Sequence, residues 1–166
     1  MNIFILDENP TIAAESLCDK HVVKMILEST QMLCTAIPAA REYQMYCGIK
    51  LYKPAFMNHP CTLWVGKSQE NFSWLCSHAK AMCQEYTRRY KKDHKSEQVI
   101  NAMMVLNSRY QLPSIGLTPF AQAMPDQYKD ASAVVAYRNY YIGEKSKIAV
   151  WKHSTPPSWW KEVLND

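Results

Sequence analysis

A chain of 166 residues, 48% hydrophobic and 20% charged, carries enough apolar material for a buried core without disulfide or metal staples, which excludes the disordered and small cross-linked classes. No apolar run approaches the roughly 18 residues of a membrane span, and the first seven residues lack the basic start and long apolar stretch of a secretory signal. The expectation is one domain over residues 1–166 in a reducing cytoplasm. The six cysteines (Cys18, Cys34, Cys47, Cys61, Cys76, Cys83) form no C-x-x-C pair and read as free thiols. The net charge of +4 is uneven: residues 1–50 hold four Lys/Arg against six Asp/Glu, residues 51–100 eight against four, and the remainder seven against five. An anionic partner is therefore expected on the middle and end of the chain.

Met1 to Leu6 is a short apolar run without period, either extended or a buried lead-in. Asn9-Pro10 is a helix start, with asparagine as N-cap and proline at the first position. A helix from about Pro10, bent near Asp19, is expected to end before Pro38. Residues 39–65 read as irregular but ordered, with Tyr43, Tyr46, Tyr52, Phe56 and Trp64 too aromatic for a linker and corners at Lys53-Pro54 and Asn58-His59-Pro60. Phe72, Leu75, Ala79, Met82, Tyr86 and Tyr90 stripe a second long helix from about Lys67 to Lys92. Ser96 can cap a third, with Val99, Ala102, Met103, Leu106 and Tyr110 inward. A proline-punctuated loop over 111–128 leads to a last helix, about Ala131 to Val150, and a Trp- and Pro-rich tail that folds back. The pattern predicts a mainly α fold of four to five helices with long ordered loops.

Within the first helix His21, Lys24, Glu28 and Gln31 share one polar stripe, while Val22, Met25, Ile26, Met32 and Leu33 take the core side. A base, an ammonium and a carboxylate on one rail suit an active-site wall, or simply a solvated face with one Lys-Glu pair. Arg88, Arg89, Lys91, Lys92 and Lys95, interleaved with Tyr90 and His94, exceed what a helix C-terminus asks for and point to nucleic-acid phosphate. Arg138 and Tyr140 of the Tyr137-Arg138-Asn139-Tyr140-Tyr141 cluster are further contact candidates, with Tyr137 and Tyr141 assigned to the core. The histidines show no metal-ligand spacing, and no cofactor loop, serine elbow or paired-carboxylate motif is present, so neither metal nor cofactor is expected.

Cys18-Asp19-Lys20-His21, followed seven residues later by Glu28, resembles the first helix of the bacteriophage endonuclease V family of pyrimidine-dimer DNA glycosylases, where Ala-Asp-Gln-His precedes a glutamate at the same interval. The Tyr/Arg-rich run at residues 137–141 is similar to that family's C-terminal aromatic segment, and Asn58-His59-Pro60 resembles a His-Pro loop of bacterial relatives. The resemblance implies a helical DNA glycosylase that flips a damaged or modified pyrimidine nucleotide from duplex DNA and attacks sugar C1′ with its α-amine. An imine then allows strand β-elimination. It assigns the amine to Met1, stabilisation of the positive sugar to Glu28, and the pocket wall to His21, with Asn58 and His59 nearby. An α-amine with a pKa of about 7.7–8 is usefully unprotonated near neutrality.

Two positions depart from the family pattern. Asn2 is too large to favour removal of Met1, and Leu27 stands where the family has an arginine. Lys24 is the alternative nucleophile if burial lowers its pKa. Two other functions fit the residues: a non-catalytic nucleic-acid-binding module using the basic corner, and a small nucleotide or nucleoside hydrolase using His21, Glu28 and His59, with Cys61 as a covalent variant. No protein partner is inferred.

Overall fold

A computed structural model describes residues 1–38, 40, 45–110 and 112–163, with residues 161–163 described by backbone only. Tyr43 and residue 111 of the long loop lie outside the described residues. Seven α-helices are present among them: α1 (Pro10–Glu15), α2 (Asp19–Ala36), α3 (Pro60–Val65), α4 (Gln69–Tyr90), α5 (Glu97–Arg109), α6 (Ala133–Lys145) and α7 (Ser158–Val163). A 3-10 turn spans Asp126–Tyr128, and β1 (Met45–Tyr46) pairs antiparallel with β2 (Ile49–Lys50) in the register Met45↔Lys50 and Tyr46↔Ile49. The protein is mainly α with long ordered loops, as its sequence predicts. It has more helices than the four to five expected.

The reasons for the extra helices are local. The expected 10–37 helix is two helices, because tertiary partners claim the backbone at residues 15–18. Arg89 takes the Leu17 carbonyl at 2.8 Å and the Glu15 carbonyl at 3.1 Å, and the Tyr141 hydroxyl accepts the Cys18 N–H at 3.1 Å. Orphaned helix-end groups thus find partners outside the helix. The stretch 39–65 is not wholly irregular. Cys47 and Gly48, at φ 47° and 78°, make the left-handed two-residue turn that a tight hairpin requires. Helix α3 starts at Pro60 under an uncommon N-cap, His59, whose Nδ1 accepts the Cys61 N–H at 3.2 Å.

Helix α4 is the central post, against which α1, α2, α3 and α5 pack. Helix α2 also touches α3 and α5. The segment Ile3–Leu6 is buried through the middle of the molecule. It is the lead-in expected from its apolar run. At the C-terminal end Tyr141 of α6 lies within ring contact of Trp151, Trp159 and Trp160, so the tail does fold back. All six cysteines are free, and only Cys47 is exposed. No helix among the described residues is long and apolar enough to cross a membrane.

Burial has a titration consequence. His78, stacked on Trp74 and hydrogen-bonded through Nδ1 to the Pro10 carbonyl at 2.9 Å, is pushed down to a pKa of about 4 by desolvation. His21 is lowered to about 4, first by burial and then by the charges of Lys145, Lys24 and Lys20. Below pH 6.5 the unfolded chain protonates these rings while the folded one does not. Stability is therefore full above pH 6.5 and falls as the pH drops towards 4, by roughly 3 kcal/mol for each histidine. Urea unfolding midpoints at pH 7.5, 5.5 and 4.5 should fall in that order. In His78→Gln the low-pH part of the fall should shrink.

Candidate active site

The polar stripe of α2 faces the chain's own N-terminus. The Met1 amine lies 3.7 Å from Glu28 Oε2, and the Asn2 backbone N–H donates to the same oxygen at 3.0 Å. The other carboxylate oxygen, Oε1, lies 3.4 Å from Lys24 Nζ. Met1 is anchored by its side chain, which is 2% exposed and accepts a long hydrogen bond from Thr62 of α3 at Sδ, 3.8 Å away. Asn2 is anchored more firmly. Its Nδ2 donates to the Ala123 carbonyl at 2.8 Å, and its Oδ1 accepts from the Tyr137 hydroxyl at 2.9 Å and from the Ile3 N–H at 2.8 Å. Four segments of the chain therefore hold the terminal amine beside one carboxylate.

Around them is a cleft of about 270 Å³ whose walls include Met1, Lys20, His21, Lys24, Glu28 and Tyr140. Lys145 completes it from the end of α6, its ammonium 3.1 Å from the Tyr140 hydroxyl and 4.6 Å from that ring's centroid. His21 is fixed by stacking on Phe4 at 4.6 Å and by a 2.7 Å bond between Nδ1 and the Tyr141 hydroxyl. That hydroxyl also accepts from the Cys18 N–H. With its pKa lowered to about 4, chiefly by burial, His21 is a neutral ring at physiological pH. Gly143 lets Tyr128 approach α6 closely, where Tyr128 contacts the Tyr140 ring at 5.4 Å and bonds Glu144 at 3.0 Å. A Cβ at 143 would collide with that ring.

His59 lies within electrostatic reach of the amine and of Glu28. Its pKa is lowered by burial first and by the positive amine second, with Glu28 opposing. Asn58 is exposed beside it. Cys61 is buried, with its thiol 3.7 Å from Asn2 Oδ1 and its pKa raised by burial, so it offers no thiolate for a covalent reaction. Lys24 is 62% exposed and lacks the burial that its role as alternative nucleophile requires.

A second depression of about 780 Å³ shares Lys24 and Glu28 with the cleft and continues to the α4–α5 corner. There Lys92, His94 and Lys95 line it with Tyr52 opposite. These three sequence candidates therefore open onto α2, and Lys91 sits at the left-handed cap of α4 next to them, at φ 56°. The neighbouring arginines are differently employed. Arg89, expected to meet phosphate, has no exposed side-chain surface and ion-pairs with Glu85 at 2.9 Å and Asp19 at 3.1 Å. Arg88 is clamped to Glu85 by two bonds of 2.8 and 2.6 Å. Burial works against the Glu85 carboxylate, yet its bonds from Arg88 and the charge of Arg89 outweigh it, and its pKa is lowered. Arg138 bonds the Leu6 carbonyl at 2.9 Å, pairs with Asp7 at 3.4 Å and lies over Trp159, so it braces the tail instead of lining the cleft. Tyr140, expected as an outer contact, is a wall of the cleft itself.

Sequence reasoning missed Asn2, Lys20 and Lys145 as members of this site. Lys20 immediately precedes the stripe's His21, and Lys145 closes the helix that carries Tyr140, so their positions were available clues. Among the described residues no three His, Cys, Asp or Glu side chains converge as a metal site would need.

The site thus sets the terminal amine beside a carboxylate in a cation-rich cleft on a helical scaffold. Over residues 1–98 the sequence matches the family model of the pyrimidine dimer DNA glycosylases, and the chain belongs to that family of DNA-repair enzymes. No curated protein and no solved structure matches it.

Proposed function

We propose that the protein is a DNA glycosylase with abasic-site lyase activity, acting on a damaged or modified pyrimidine turned out of duplex DNA. The 3.7 Å approach of the Met1 amine to Glu28 carries this reading. The unprotonated amine attacks sugar C1′, the glycosidic bond breaks, and the base leaves with the bonding electrons and takes a proton from the nitrogen. The nitrogen lone pair then expels O4′ from C1′ to form an iminium, and O4′ takes a proton from water. Glu28 offsets the positive charge that develops on the sugar and then on the iminium. Loss of a C2′ proton and departure of the 3′ phosphate then open the strand. Extruding a damaged base costs less than extruding a sound one, which contributes part of the selectivity. Lys20, Lys24 and Lys145 meet phosphate at the cleft, and Lys92 and Lys95 meet it along the groove.

Sodium borohydride trapping on an abasic-site oligonucleotide tests the reading. A covalent adduct is expected for the wild type and for Lys24→Gln. None is expected when a few residues are added ahead of Met1, because the amine then becomes an amide. An adduct that survives the extension but disappears in Lys24→Gln would move the nucleophile to Lys24. The groove has its own check. In Lys92→Ala/Lys95→Ala the slope of log binding constant against log salt should decrease by roughly 2, since each phosphate contact contributes about 0.9. An unchanged slope removes these lysines from the interface.

A further inference from the structure

We infer that Phe56 is the wedge that enters the base stack at the lesion and holds the duplex open while the nucleotide occupies the cleft; this rests on the glycosylase reading above. Phe56 is 64% exposed, so its large ring is left out of the core. It also sits at φ 51°, in the left-handed region that a bulky side chain adopts only when its surroundings impose it.

Those surroundings are visible. On the N-terminal side the Thr35 hydroxyl at the end of α2 bonds the Ala55 N–H at 3.1 Å and lies 3.3 Å from the Ala55 carbonyl. On the C-terminal side the His59 N–H donates to the Phe56 carbonyl at 3.0 Å, closing a turn that runs directly into Pro60 and α3. The turn is thus pinned to the catalytic helix at one end. At the other it joins the helix that grips Met1. His59, three residues on, senses both the amine and Glu28. A strained, solvent-facing ring on a turn tied to α2 and α3, the two helices that hold Glu28 and Met1, contributes nothing to the core. It is suited to stacking on a base, because every base offers a π face. Met57, also exposed, extends the apolar tip. An apolar side chain inserted between base pairs unstacks them and kinks the duplex, as extrusion of a nucleotide demands.

Duplex DNA with one tetrahydrofuran abasic site flanked by 2-aminopurine tests the wedge. Wild-type protein should raise the 2-aminopurine fluorescence. Phe56→Ala should not, and should bind this duplex about 5- to 150-fold more weakly, the range for loss of one stacked base. Phe56→Trp should restore both, with its own emission quenched by the stacked base. On a single-stranded abasic oligonucleotide no stack has to be broken, so wild type and Phe56→Ala should give equal borohydride adduct. Phe56→Gly, which removes ring and strain together, should match Phe56→Ala in binding and unfold at a higher urea concentration than wild type. Wild-type fluorescence and duplex affinity in Phe56→Ala would overturn the wedge, as would an equal loss of adduct on the single strand. If wild type itself gives no adduct on either the single strand or the duplex, the glycosylase reading fails instead and takes the wedge with it.

Discussion

Glu28→Gln is expected to lower single-turnover excision by at least about a thousandfold while duplex affinity stays within a few-fold of wild type. The size follows from what the carboxylate touches. It faces the Met1 amine at 3.7 Å and Lys24 at 3.4 Å, and is only 12% exposed. Its negative charge therefore acts in a partly desolvated cleft where a developing sugar cation would form. A positioned acid–base group contributes about 100- to 10,000-fold by itself. Glutamine keeps the shape and still accepts the Asn2 N–H now bonded at 3.0 Å, so the fold and the groove should be undisturbed. Excision measured under single turnover, beside binding to a tetrahydrofuran duplex, separates the two effects. A loss below tenfold would remove Glu28 from the chemistry.

Arg89→Met should cost about 3–5 kcal/mol of folding stability, the usual penalty for breaking a buried ion pair from one side. The guanidinium has no exposed surface and serves four acceptors: Glu85, Asp19 and the Leu17 and Glu15 carbonyls. Removing it leaves Glu85 to Arg88 alone, takes the cation from Asp19 and leaves the carbonyls at the end of α1 unsatisfied. Asp19 also accepts the Lys152 N–H at 2.7 Å, so the damage reaches the C-terminal tail. Arg89→Lys should recover only part, because a single ammonium cannot reproduce the planar fork. Lys92→Ala, at the groove only three residues away, should change stability by no more than about 0.5 kcal/mol. Urea denaturation of the three variants makes the comparison. An Arg89→Met protein as stable as wild type would show that the buried network contributes nothing net.

These two residues also mark what was readable in the sequence. The polar face that carries Glu28 was readable, because His21, Lys24 and Glu28 recur on one side of a helix and a local pattern carries them. Arg89 was not read correctly, although Glu85 stands four residues before it, the spacing that joins an ion pair on a helix. The density of neighbouring lysines concealed that clue. The approach of Met1 to Glu28 was suggested only by family resemblance, since no periodicity relates residues so far apart. The parts that create it are long-range: Ala123 and Tyr137 holding Asn2, and Thr62 holding Met1. Helix α3 hid behind a histidine N-cap, and the hairpin behind a left-handed Cys47. In both cases the local conformation follows from contacts that a one-dimensional pattern does not record.

The ties on Asn2 have a consequence for how the molecule is made. Every residue assigned to amine chemistry (Met1, His21, Lys24, Glu28) is translated early, within the 98 residues that the family model spans. The hydrogen bonds that place the first two residues come from Ala123 and Tyr137, and the bond that orients His21 comes from Tyr141. A nascent or prematurely terminated chain therefore carries the whole reactive inventory without its alignment. Competence arrives only when the last third has emerged and docked. For the amine chemistry proposed above, such late assembly would keep unfinished chains inert.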